Sequence, residues 1–392
     1  MKKMILSILL VSTQLVVIAQ VGYETVLQQI ELNNTTLAAY RQQTDVAKIG
    51  NRTGITLVNP EVEFNYLWGS PTLIGNRTDI IVQQSFDFPT AYALRSKIAN
   101  LQDENAELLY KAERLNILLL AKKTCIELVY YNALAREYTV RLKSAELISE
   151  AYKTKWDRGE TNILEYNKAM LNLTTVLAEQ ERIVAEQTSL ILELKRLNGG
   201  KEILFSDHIY PTHTLPLHFE EWYAIAETKN PLLQYVRGEI EIGKQEIKLS
   251  RVMGLPKFSA GYMSEKVVGE HFQGITFGVS IPLWENKNRV KQAKAQTQAA
   301  VMVFEDNKVQ FYNRLLILFQ KATALQQNAQ RVRLSIQNNN NEQLLKRGLD
   351  AGEISLLNYL LEMEYCYDLI IKAWEAERDF EWSLAELEAL EL

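Results

Sequence analysis

Apolar side chains recur at every seventh position through a stretch, residues 90–156, that contains neither glycine nor proline. Leu94, Leu101, Leu108 and Leu115 form one row. Ile98, Ala112, Leu119, Ile126, Ala133, Val140 and Leu147 form a second, broken only by Asn105. A sustained seven-residue repeat predicts coiled-coil packing. At 1.5 Å per residue such a helix would reach roughly 100 Å, too long for a compact domain. Gly159 then supplies the left-handed backbone that a helix reversal needs, and apolar positions resume over about residues 163–197 until Gly199 and Gly200 stop them.

The second half repeats the plan. Val290, Thr297, Phe304, Phe311, Leu318, Leu325 and Val332 are again seven apart, which predicts one long helix over about 287–347. Gly352 ends it, and a returning helix follows over about 354–390. Asn230 and Leu232 answer Asn34 and Leu37; Pro256 answers Pro60 at an offset of 196; Pro282 answers Pro89 and Gly352 answers Gly159, both at 193. Landmarks at nearly constant offset imply a tandem duplication: a first repeat over 20–198, a connector over 199–218 containing Pro211 and Pro216, and a second repeat over 219–392.

Inside each repeat the period changes from seven to two. Residues 61–68 and 79–88 alternate, as do 257–263 and 274–281. Val62, Phe64, Tyr66, Ile80, Val82, Phe86, Phe258, Tyr262, Ile275, Phe277 and Val279 fall on the apolar side, opposite Glu, Asn, Gln, Ser, Thr and Gly. Strands of this length can cross a bilayer when tilted, and apolar/polar alternation marks a transmembrane barrel wall. Four strands cannot close on themselves, and open edges are intolerable in lipid, so such a chain has to oligomerise.

Composition narrows the setting. Residues 1–19 read as a secretory leader, with Lys2 and Lys3 ahead of an apolar stretch too short to span a membrane. Its removal takes the formal charge from −5 to −7, which argues against nucleic acid as a partner. Cys125 and Cys366 are too few for a disulfide framework and read as buried small apolar residues. His208, His213 and His218 stand five apart in the proline-bearing connector. That spacing does not suit shared ligation on a helix, so they read as loop histidines and only weakly as a metal site. No nucleophile–base pair, phosphate loop or paired catalytic carboxylate stands out, so neither an enzyme nor a cofactor is expected.

The duplicated order of helix, strand pair, long helix, glycine turn and returning helix resembles the TolC-like outer-membrane efflux channels. So do the asparagine–leucine helix starts at Asn34 and Asn230 and the proline-marked strand ends. The resemblance covers the whole mature chain. It implies a mostly helical fold with a transmembrane β contribution: tandem helical hairpins forming a periplasmic α-barrel, and four strands per chain joining a trimeric twelve-stranded outer-membrane β-barrel. It also implies partners, namely two further copies, outer-membrane lipid, a periplasmic adaptor and an inner-membrane pump of the RND type. Arg158, Gly159, Glu160 and Thr161, with Leu349, Asp350, Gly352 and Glu353, would form the adaptor-docking tip.

Such channels close with acidic residues shortly after the second glycine turn. Here that position is Asn358 where relatives often carry Asp, and Leu361 follows, so the gate departs from the family's pattern. Glu362, Glu364 and Glu165 are the remaining candidates, against the alternative of a solvated helix face. The passage from Gln83 to Pro89 is similar to the heavy-metal efflux branch. The competing reading is a secreted periplasmic coiled-coil scaffold or adaptor whose strands form a soluble cap, without a pore.

Overall fold

In the computed structural model, residues 22–211, 213, 215–338 and 341–392 are described; the leader lies outside them. Each repeat begins with a short helix and a break at asparagine: α1 (Tyr23–Asn33) gives way to α2 (Thr35–Asn51), and α5 (Phe219–Lys229) to α6 (Pro231–Val252). Asn34 caps α2 by accepting from the Leu37 amide, and Asn230 caps α6 by accepting from Leu232 and Leu233. The matched asparagines are therefore helix N-caps, which satisfy amides left unpaired at a helix start.

Between the short and long helices run β1 (Glu61–Leu67), β2 (Arg77–Phe86), β3 (Lys257–Val267) and β4 (Glu270–Ser280). They form one antiparallel sheet in the order β1-β2-β3-β4, so the hairpins of the two repeats join through β2 and β3. The second hairpin is longer than the alternation predicts. Both strands run on to a two-residue turn at Val268 and Gly269, with φ of 42° and 87°. Positive φ at both positions is the type I′ pattern, which favours Asn-Gly and gives no signal when Val stands first. In the first repeat β2 sits two residues earlier than expected, because Pro89 starts the next helix and residues 87 and 88 lead into it.

α3 (Pro89–Asp157) is 69 residues long and α4 (Ile163–Leu197) runs back along it. The row through Ile98, Asn105, Ala112, Ile126 and Ala133 is buried, but Val140 and Leu147 in the same row are exposed. Burial passes to Leu134 and Arg141. A straight helix drifts by about 20° per heptad against a seven-residue repeat, so five heptads shift the seam by about one residue. Asn105 is not a flaw in the row. It is buried and donates to Tyr235 O and Glu239 Oε1 of α6 beside Gly238, where a Cβ would stand 1.9 Å from its Oδ1.

The long helix expected over 287–347 is not continuous. α7 (Arg289–Asn338) ends at a run of four asparagines, of which 339 and 340 lie outside the described residues, and α8 (Glu342–Asp350) restarts after Asn341. Asn side chains compete for backbone hydrogen bonds and favour helix ends, so they interrupt a helix without glycine or proline. α9 (Leu356–Leu387) returns against α7. Cys125 is buried as expected; Cys366 is only half-buried, since α9 presents it toward the helix surface. No described helix is long and apolar enough to cross a membrane.

Candidate functional site

The sheet register decides which side chains share a face. Val62 pairs with Val82, Phe64 with Ile80, Val82 with Tyr262, Phe86 with Phe258, Tyr262 with Ile275, and Phe258 with Val279, while Phe277 lies opposite Ala260. Directly paired residues point to the same side, so all eleven apolar positions from the alternation lie on one face. Ten are exposed, with Ile275 at 75% and Phe277 at 82%; Phe86 is half-buried. The opposite face carries Ser259, Gly261, Thr276 and Gly278, with Arg77 bonded to Asp79 at 2.8 Å and to Glu265 at 3.3 Å. Among the described residues β1 and β4 have no further strand beside them. One face is thus apolar and uncovered, the other largely polar, with Leu67 and the Ile81–Met263 pair among its apolar members, and both edges are open among the described residues.

A second uncovered stripe lies on α4. Ile163, Met170, Leu177, Val184 and Ile191 are all exposed and all seven apart. The spacing was legible in the sequence, but only the structure shows that neither α3 nor α9 covers it.

The two hairpin ends are built alike. Gly159 has φ 73° and donates to Trp156 O at 2.9 Å, while Glu160 N reaches Lys155 O at 2.8 Å. Gly352 has φ 75° and donates to Leu349 O at 3.1 Å, while Glu353 N reaches Gly348 O at 2.8 Å. This pairing is the Schellman close of a helix. Asn162 and Ser355 then cap the returning helices by accepting from the Glu165 and Asn358 amides. Ala169, Leu356, Tyr359 and Met363 form a shared core that holds the hairpins side by side. Beyond it, Arg158, Glu160, Asp350 and Glu353 are exposed, while Thr161 and Leu349 are half-buried. Trp156 stacks on Tyr166 with ring centroids 5.4 Å apart, a contact that residue spacing alone did not suggest.

The gate candidates separate on α9. Asn358 and Glu362, one turn apart, are exposed on a common face. Glu364 instead lines a groove of about 630 Å³ between α3, α4 and α9. Glu165 is held by Lys168 at 3.2 Å.

The connector histidines do not converge. His208 lies against Arg136, His213 lies 3.6 Å from Glu381, and His218 is the residue before α5. No group of three metal-ligating side chains occurs among the described residues. Glu381 is buried on α9, and burial pushes its carboxyl up to about 8 against the opposing pull of Lys122. Sequence gives no sign of this, because a single Glu in a helix reads as solvated.

No family model and no curated protein matches the chain. Solved structures do. CusC, described for folding and transmembrane channel formation, superposes with a TM-score of 0.78 over 95% of this chain and 92% of its own, at 13% identity. The fold is that of an outer-membrane channel. The Campylobacter jejuni CmeC outer membrane channel gives 0.74 over 94% and 85% at 14% identity. The open Neisseria gonorrhoeae MtrE outer membrane channel gives 0.75 over 94% and 88% at 13%. The shared fold accounts for the paired hairpins and for the single sheet that joins strands of both repeats.

Proposed function

We propose that this chain is one third of an outer-membrane efflux channel. Three copies bring β4 of one chain against β1 of the next, closing twelve strands into a barrel with the apolar face toward lipid and the polar face toward the lumen. The helices extend into the periplasm as a tunnel, where the uncovered α4 stripe packs on a neighbouring copy. The observation that carries this reading is the four-stranded sheet with an exposed apolar face and two open edges. Such a sheet is costly in water and cannot stand alone in lipid.

The paired tips, with Arg158, Gly159, Glu160 and Thr161 beside Leu349, Asp350, Gly352 and Glu353, would receive a periplasmic adaptor linked to an inner-membrane pump of the RND type. The channel gives passive exit and does no chemistry. Around the threefold axis Asn358 and Glu362 would narrow the periplasmic end, with Glu165 and Glu364 beside them. The exported class follows the pump. Metal-ion efflux is the expectation from the resemblance, tested by metal against drug sensitivity of a deletion strain.

Purified chain reconstituted in planar bilayers should run as a trimer by native mass and conduct ions. Recovery in the soluble extract as a monomer without conductance would favour the periplasmic scaffold instead.

A further inference from the structure

The four strands sort their charges between the faces of the sheet. By the pairing register, Glu61, Glu63, Asp79, Glu265 and Glu270 all lie on the face that carries Arg77 and Lys257. The apolar face holds no carboxylate among the strand residues. Its single lysine is Lys266, exposed and without an ion pair among the described residues. Lys266 shares a rung with Tyr66, Thr78 and His271, and the adjacent rung runs through Phe64, Ile80, Ser264 and Gln273. On β3 and β4 the face therefore turns polar beyond Tyr262 and Ile275. These polar side chains are linked across the strands: Ser264 Oγ lies 2.8 Å from His271 Nε2, and the Tyr262 hydroxyl donates to Gln273 Oε1 at 2.9 Å. On β1, Tyr66 accepts from Asn76 at 2.7 Å and meets Trp68 edge-on, with ring centroids 5.7 Å apart.

We propose that this outward rim binds the phosphorylated headgroup of a membrane lipid: Lys266 pairs with the phosphate, while Ser264, His271 and Gln273 hydrogen-bond the oxygens around it. The site rests on the channel reading, because only a closed barrel sets the apolar face in a bilayer.

Depth and sign both fit. Lys266 lies four residues past Tyr262, which at about 3.4 Å per residue and a tilt of about 40° is roughly 10 Å beyond the apolar band. A headgroup layer is about 5–8 Å deep, and a lysine stem reaches back across the difference. Tyr66 and Trp68 mark the same border from β1, since amphipathic rings settle where lipid tails meet headgroups. A rim facing only water would accept either sign, yet Asp79, Glu265 and Glu270 at this end all lie on the opposite face. A carboxylate on the outward side would repel a lipid phosphate, and a lysine attracts it. Three copies would present the site three times around the barrel, and the bound headgroups would fix how deep it sits.

The test is native mass spectrometry of the full-length chain in a neutral detergent, titrated with diphosphoryl lipid A, because one spectrum reads both the trimer and the lipids it keeps. Wild-type trimer should retain the lipid, and Lys266→Glu should weaken retention by about five- to thirtyfold, as loss and reversal of one charge at a lipid surface require. Lys257→Glu makes the same charge change on the other face of the same strand and should retain lipid as wild type does. Removing the phosphates from the lipid should abolish the difference between wild type and Lys266→Glu. An excess of inorganic phosphate should displace little of the lipid, because the acyl chains hold it on the apolar face. A trimer that keeps lipid equally well in wild type and Lys266→Glu overturns the site and leaves the channel standing, as do equal losses in both lysine variants or complete displacement by inorganic phosphate. A monomer that keeps no lipid overturns both.

Discussion

Single residues carry constraints that their identity does not announce. Asn105 interrupts an apolar row, yet it fixes α3 against α6 by two hydrogen bonds in the one place where a glycine lets the helices approach. Gly238→Ala would drive a methyl into the Asn105 amide and should cost about 1–3 kcal/mol, the usual range for overpacking. The double variant Asn105→Ala with Gly238→Ala should recover part of that loss, because the two effects share one contact. Thermal melts of the four species in detergent check this, and strictly additive losses would remove the coupling. At the tip, Glu362→Ala should raise single-channel conductance and alter cation block if the Asn358 and Glu362 face narrows the pore. Unchanged conductance would reassign that face to solvent.

Among the elements, the second hairpin shows where pattern reading stops. Alternation located β3 and β4 but ended them early, because Ser264, Glu265, Lys266, Glu270, His271 and Gln273 are too polar to read as lipid-facing, while Val268 hides the turn. A β-branched residue at φ 42° is strained. Val268→Asn should therefore stabilise the hairpin by about 0.5–1 kcal/mol, read as a higher melting temperature of the sheet. A lower one would mean that the contact of Val268 with the loop at Gly75 outweighs the strain. The helices were legible for the opposite reason: α4 matches its expected bounds because Asn162 and the paired glycines punctuate it chemically. The break between α7 and α8 was missed because asparagine was read as a breaker only at Asn34 and Asn230, while inside the heptad-bearing helices only glycine and proline were. Glu381 could not have been found at all, since its burial depends on a connector about 170 residues away in sequence. The tip turns were legible down to the residue that takes positive φ, whereas the face each acidic residue presents depends on packing between hairpins.

At the scale of the molecule, the two faces of the sheet make opposite demands. Phe277→Arg places a charge on the apolar face and should cost about 2–4 kcal/mol near a bilayer midplane, seen as loss of trimer from the membrane fraction. Gln83→Arg on the polar face should leave membrane recovery unchanged. Equal tolerance of both would refute the barrel. The pairing of β2 with β3 has a further bearing on how such a chain is made. Its inner seam joins Arg77 to Val267, so the first hairpin emerges from synthesis and waits through the whole of α3, α4, α5 and α6 before its neighbour exists. Until then it offers only two strands, too few to settle in any bilayer. If three copies close the proposed barrel, the duplicated layout would act as a timer: no fragment could commit to a bilayer on its own, and insertion would wait for a finished chain and two further copies.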